Sequence, residues 1–164
     1  MNIYLIGMMG SGKSTVGEAL SEKMNEPFID LDSEIEKETG KTISELFDID
    51  GEEQFRKTET KQLKQYSESI VACGGGVVLK EENREFINKN GVTILLTASM
   101  EELSNRLSES DNRPLLANDN TEEELTKLWL ERQLNYLNTA DFTIETDRKN
   151  PEELTKEILS HINP

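Results

Sequence analysis

The segment Gly7-Met8-Met9-Gly10-Ser11-Gly12-Lys13-Ser14-Thr15 constrains this chain more than any other stretch. It fits G-x-x-x-x-G-K-[ST], a pattern that needs a strand before it and a helix after it. Both are legible. Asn2-Ile3-Tyr4-Leu5-Ile6 is a short, mostly apolar run suited to a buried strand, and Val16, Leu20 and Met24 recur at the spacing of one helix face. Each residue type has a task. Glycines let the turn curl and bring backbone N–H groups against phosphate oxygens. Lys13 carries positive charge to the β- and γ-phosphates, and the Ser14 hydroxyl completes a Mg²⁺ shell. The helix that follows points the positive end of its dipole at the anion. The alternative is a chance glycine turn joining a strand to a helix.

Beyond this motif the chain alternates between strand and helix signals. Further strands are expected at 27–31, 70–73, 92–96 and 142–144. Helices are expected at 33–38, 42–47, 52–66, 81–88, 99–107 and 121–137, with Gly40 and Gly51 as punctuation. Ser44 suits the cap of a short turn. Ser99 with Glu102, and Thr121 with Glu124, have the spacing of capping boxes, and Pro151 occupies the favoured first position of a last helix. The alternation predicts an α/β protein, a five-stranded parallel sheet covered by helices on both faces in three layers. The pattern fails between Glu109 and Asn120, a polar stretch around Pro114-Leu115-Leu116. A connection of this length reads as a lid or binding loop, or else as a surface loop without a role.

A length of 164 residues suits a single domain, 1–164, and no apolar run approaches a membrane span. The opening strand leaves no room for a basic signal segment, so none is expected. One cysteine, Cys73, excludes an internal disulfide and suits a reducing cytoplasm. A formal net charge of −15 argues against nucleic acid or an anionic membrane as partner. It also repels nucleotides, so an anion site needs cations placed locally.

Asp30 and Asp32 flank Leu31 at the carboxyl end of the second expected strand, where ligands bind in open α/β sheets. Strand alternation points both carboxylates the same way. One can support the metal through water and the other can orient or deprotonate a hydroxyl, although Asp32 or Ser33 also suits a helix cap. Gly74-Gly75-Gly76 follows another buried strand and either admits a ligand close to the backbone or merely makes a tight turn. Arg56 and Glu59 have the spacing of a helical surface ion pair, and Arg132 lies in a long helix. Cys73 reads as a small buried hydrophobe.

Taken together, Gly7–Thr15, Asp30-Leu31-Asp32, Phe55-Arg56-x-x-Glu59, Gly74-Gly75-Gly76, Arg113-Pro114-Leu115-Leu116 and Arg132 with Tyr136 resemble the shikimate kinase family, in order and over nearly the whole chain. The resemblance implies a P-loop NTPase fold of the nucleoside monophosphate kinase type, with a substrate-binding segment at about 32–60 and a lid at about 109–120. It implies ATP and shikimate as substrates, one Mg²⁺, and no nucleic acid or membrane partner; with no patch for self-association in the sequence, a cytoplasmic monomer is expected. Gly10, Ser11, Gly12, Lys13, Ser14 and Thr15 would hold the phosphates. Ser14 would ligate Mg²⁺, with Asp30 supporting it through water. Asp32 would contact the shikimate hydroxyls as candidate base, and Arg56 and Arg132 would clamp the carboxylate. Gly74, Gly75 and Gly76 would line the substrate. Arg113 would close over the transferring phosphoryl group. Arg106, Lys149 and Pro151 would lie near adenine. Rival readings are a kinase for gluconate or a nucleoside monophosphate, and a nucleotide-binding module without turnover.

Overall fold

A computed structural model describes residues 1–108 and 121–163. The expected lid at 109–120, Arg113 included, lies outside the described residues. Five parallel strands form the sheet, β1 (Asn2–Ile6), β2 (Phe28–Asp30), β3 (Ile70–Ala72), β4 (Gly91–Thr97) and β5 (Phe142–Glu145), in the order β2-β3-β1-β4-β5. Parallel order requires a crossover between successive strands, and helices supply it. These are α1 (Lys13–Met24), α2 (Leu31–Thr39), α3 (Ile43–Leu63), α4 (Glu81–Asn90), α5 (Met100–Ser108), α6 (Thr121–Thr139) and α7 (Pro151–Ile162).

The alternation of strand side chains divides the core between the two faces. Ile3 and Leu5 of β1, with Ile94 and Leu96 of β4, meet Val16 and Leu20 of α1 and Leu154 and Ile158 of α7. Tyr4 and Ile6 of β1, with Leu95 of β4, meet Leu31, Ile35, Leu63, Ile87, Leu103 and Leu125 from α2 to α6. The result is the expected three-layer arrangement. Strand β1 lies at the centre with every residue buried. The chain moves from it out to β2, back to β3 and across to β4, so β1 and β3 end where the connections diverge. In doubly wound sheets a ligand crevice opens at that place.

Several local expectations are corrected. β2 stops at Asp30, so Leu31 and Asp32 belong to the first turn of α2 and strand alternation does not orient Asp32. The cap of α2 is Asp30, whose Oδ1 accepts from the Ser33 N–H at 3.1 Å, and not Asp32 or Ser33. Thr42 caps α3 in place of Ser44, through a capping box with Glu45. The two helices expected around Gly51 form one element that breaks there. Gly51 has φ 81 and ψ 165, a conformation a side chain would strain. At α5 the capping box is only half made. Ser99 Oγ accepts from the Glu102 N–H at 3.2 Å, but the Glu102 carboxylate turns to Arg106 at 3.0 Å and Asp147 takes the Ser99 N–H.

Candidate active site

A cleft of about 520 Å³ opens at the carboxyl ends of β1, β2 and β3. At one end is the loop between β1 and α1. Gly12, at φ 96, adopts the left-handed backbone that lets the loop turn into the helix. Lys13 folds back over the loop, its Nζ donating to the Gly7 and Met8 carbonyls at 2.9 Å each. Ser14 Oγ donates to Asp30 Oδ2 at 2.5 Å. Asp30 thus caps α2 with one oxygen and meets Ser14 with the other. Arg106 of α5 braces the loop, donating to the Gly10 carbonyl and to Thr146 Oγ1, each at 3.1 Å.

At the other end stand Arg56, Glu59, Arg132 and the glycine turn. The Arg56 Nη1 to Glu59 Oε2 distance is 2.9 Å, and Glu59 is 0% exposed. Arg56 also lies against the rings of Phe55 and Phe47, 5.1 and 5.8 Å from their centroids. Burial pushes the Glu59 carboxyl up, while the Arg56 guanidinium pulls it down. This pair is thus no solvated surface contact. The glycine turn explains how so many charged groups fit. A methyl at Gly76 would come within 2.3 Å of Arg56 Nη2. One at Gly74 would come within 2.7 Å of Glu59 Oε1 and 2.9 Å of Asp32 Oδ1, and one at Gly75 within 3.4 Å of Arg132 Nη1. The bare backbone makes room for this protein's own side chains as much as for a ligand.

Of the expected site residues, Gly10, Gly12, Lys13, Ser14, Thr15, Asp30, Asp32, Arg56, Gly74, Gly75, Gly76, Arg106 and Arg132 line this one cleft. Ser11 is fully buried within the loop, outside the lining. Lys149 pairs with Glu157 at 2.7 Å, and neither Lys149 nor Pro151 is brought to the cleft wall. Four lining side chains are basic, Lys13, Arg56, Arg106 and Arg132, and four are acidic, Asp30, Asp32, Glu36 and Glu59, so the cleft is charge-balanced in a chain of net charge −15. Burial pushes the Cys73 thiol up, in keeping with an inert buried side chain. Sequence reasoning quoted Glu59 and Tyr136 within its motifs without giving either a role, and it passed over Phe47, which with Glu59 lines the cleft. Phe55-Arg56-x-x-Glu59 carried the signal for Glu59, but its burial becomes evident only in the fold.

A cleft with a phosphate loop at one end and two buried guanidinium groups at the other suits a nucleotide and a small carboxylate. The family model for shikimate kinase matches residues 9–163. A shikimate kinase from Thermodesulfovibrio yellowstonii is 41% identical over 161 residues, covering 96% of this chain and 92% of the relative.

This chain belongs to the shikimate kinase family.

Solved structures agree. The shikimate kinase from Acinetobacter baumannii in complex with shikimate superposes with a TM-score of 0.95 at 39% identity, over 98% of this chain and 92% of that one. A deoxyadenosine kinase from M. mycoides with bound dATP reaches a TM-score of 0.65 at 16% identity and shows the shared fold alone. For a shikimate kinase family member, the cleft geometry gives each lining residue a chemical context. The chain is a P-loop kinase by fold and family, an enzyme that uses a nucleotide.

Proposed function

We propose that the chain transfers the γ-phosphoryl group of ATP to the 3-hydroxyl of shikimate, giving shikimate 3-phosphate and ADP, in aromatic amino acid biosynthesis. One observation carries this reading. The phosphate loop and the buried Arg56 and Arg132 side chains open into the same cleft. Phosphoryl transfer asks little covalent chemistry of a protein, so alignment and charge stabilisation account for the catalysis.

The loop N–H groups of Gly10 to Thr15 and the Lys13 ammonium hold the nucleotide's phosphates. Arg56 and Arg132 grip the shikimate carboxylate with planar, multidentate donors, and the backbone of the glycine turn borders the ring. Asp32, from the first turn of α2, accepts the hydrogen bond of the reacting hydroxyl and turns its oxygen toward the γ-phosphorus. An O–P bond forms there as the bond to the β–γ bridging oxygen breaks, ADP leaves, and the hydroxyl proton passes to the Asp32 carboxylate and from it to solvent. Arg113, outside the described residues, is proposed to meet the charge on the transferring group. Water is a competing acceptor, so a lid at 109–120 would guard against wasteful hydrolysis. Arg106 borders the nucleotide end.

The Ser14 hydroxyl and Asp30 carboxylate, 2.5 Å apart beside the loop, form the hard oxygen donor set that Mg²⁺ takes, with few protein ligands and the rest from water and phosphate. When bound, Mg²⁺ neutralises phosphate charge. The described residues contain no group of three or more His, Cys, Asp or Glu suited to a metal. The reading extends to one kinase domain over 1–164, acting as a cytoplasmic monomer. No helix of the described residues is long and apolar enough to cross a membrane.

A coupled assay of ADP release with shikimate, gluconate and CMP as acceptors tests the reading. Strong stimulation by shikimate alone is expected. Stimulation by either rival without shikimate, or by none, would overturn it.

A further inference from the structure

Resting on the reading of Arg132 as a carboxylate clamp, we infer that Tyr136 is the positioning residue that sets the clamp, its hydroxyl joining the Arg132 guanidinium to the backbone of the glycine turn. The two residues stand four apart in α6, so they share a helix face, and both are buried. The Tyr136 hydroxyl donates to the Gly75 carbonyl and lies 3.9 Å from Met8 Sδ in the phosphate loop. The Arg132 guanidinium acts on the same phenol, opposing the effect of its burial. Its Nη1 lies against Gly75, where an added methyl would approach to 3.4 Å. The Trp129 ring stacks on that of Tyr136 with centroids 5.9 Å apart and an interplanar angle of 18°.

The direction of this relay follows from the groups themselves. A guanidinium has donors and no acceptor, and a carbonyl has only lone pairs. The phenol gives its proton to Gly75, and toward Arg132 it can only offer its lone pairs. A tyrosinate could not make the bond to Gly75. Burial pushes this phenol up to about 12, with Arg132 pulling the other way, so it keeps its proton at working pH. The Gly75 carbonyl shares a planar trans peptide with the Gly76 N–H, so fixing one fixes the other. One hydroxyl thus aligns both an arginine from α6 and the backbone donor next to Arg56. Arginine carries a long flexible stem, and a clamp that must be aimed afresh at each binding event loses affinity.

Tyr136→Phe removes the hydroxyl and keeps the ring against Trp129. The shikimate KM should rise about tenfold or more, the size of a hydrogen bond to a charged group. The ATP KM should hold, and kcat should change by less than about threefold. With an acceptor whose ring carboxylate is replaced by a carboxamide, the penalty should largely vanish. In an Arg132→Ala background, Tyr136→Phe should add little. Trp129→Leu loosens the ring but leaves the hydroxyl, and a smaller rise in the shikimate KM is expected, which also covers a poorly folded Tyr136→Phe protein. An unchanged shikimate KM in both variants would overturn the proposal, as would equal shifts in both substrates' KM values or the same penalty on the carboxamide. Loss of shikimate-dependent turnover in the wild type would instead count against the proposed function.

Discussion

Arg56 Nη1 and Glu59 Oε2 lie 2.9 Å apart, one helical turn from each other in α3, the carboxylate fully buried and the guanidinium 9% exposed at the cleft wall. A buried pair adds little net stability over an apolar pair, because both charges lose their hydration. Breaking it is another matter. Glu59→Ala leaves Arg56 with only the longer, exposed contact to Glu52 at 3.5 Å and should destabilise the protein by about 2–4 kcal/mol, read from urea unfolding. The shikimate KM should rise with it. A loss below about 1 kcal/mol, the value for solvated pairs, would show that water compensates Arg56.

The glycine turn should be graded by what each added methyl meets. Gly76→Ala drives a methyl into Arg56 and Gly74→Ala into Glu59 and Asp32, whereas Gly75→Ala makes only a tight contact with Arg132. The shikimate KM is expected to rise most for Gly76→Ala, about tenfold or more, and least for Gly75→Ala. Gly74→Ala should lower kcat as well, through Asp32. Steady-state kinetics on the three variants checks the order, and equal effects throughout would show that the turn simply yields.

Asp30 carries two contacts on two oxygens, and two substitutions separate them. Asp30→Asn retains an acceptor for the Ser33 N–H, whereas Asp30→Ala removes both contacts. Both should raise the Mg²⁺ concentration needed for half-maximal activity. Only Asp30→Ala should lower stability, by about 1 kcal/mol for a lost helix cap. Chelation should abolish activity in the wild type and added Mg²⁺ should restore it. An Mg²⁺ dependence that neither variant alters would remove Asp30 from the metal site.

The buried Cys73 thiol and the three tyrosines set the alkaline limit of stability. Burial pushes Tyr4, Tyr66 and Tyr136 up from an ordinary value of 10.0, Tyr136 to about 12. Above pH 10 the unfolded chain releases phenolic protons that the folded chain still binds. The folded state then holds more protons, so stability falls as pH rises through that window; below it the phenols have no effect, and the decline that begins at about pH 9 belongs to the buried Cys73 thiol. Tyr136→Phe should make the decline shallower from about pH 10 upward. Urea unfolding at a series of alkaline pH values reads the slope directly, and parallel declines in the two proteins would contradict the burial argument.

The parts legible in the sequence were those whose cause is local. Gly7 to Thr15 announce the phosphate loop because a tight anion-binding turn needs those residues in that order. The core face of α1 is equally visible in Val16 and Leu20, both buried as expected. Competition among partners was not legible. Glu102 has the spacing to cap α5, yet Arg106 takes its carboxylate, and only the fold brings Arg106 across to Gly10. Lys149 likewise pairs with Glu157 outside the cleft. Asp32 was assigned to the site through a strand that in fact ends at Asp30, so its place in the cleft comes from α2. Burial was the other hidden quantity. Arg56 and Glu59 have the spacing of a surface pair, and only the packing of Phe47, Phe55 and the glycine turn closes water out.

Whether one cleft brings a nucleotide's terminal phosphate to a ring alcohol is tested most directly by phosphorus NMR of the reaction products. A phosphate monoester on the 3-hydroxyl of shikimate, formed in equal amount to ADP and with little inorganic phosphate, is the expected result. ADP accompanied by inorganic phosphate at a rate indifferent to shikimate would contradict it.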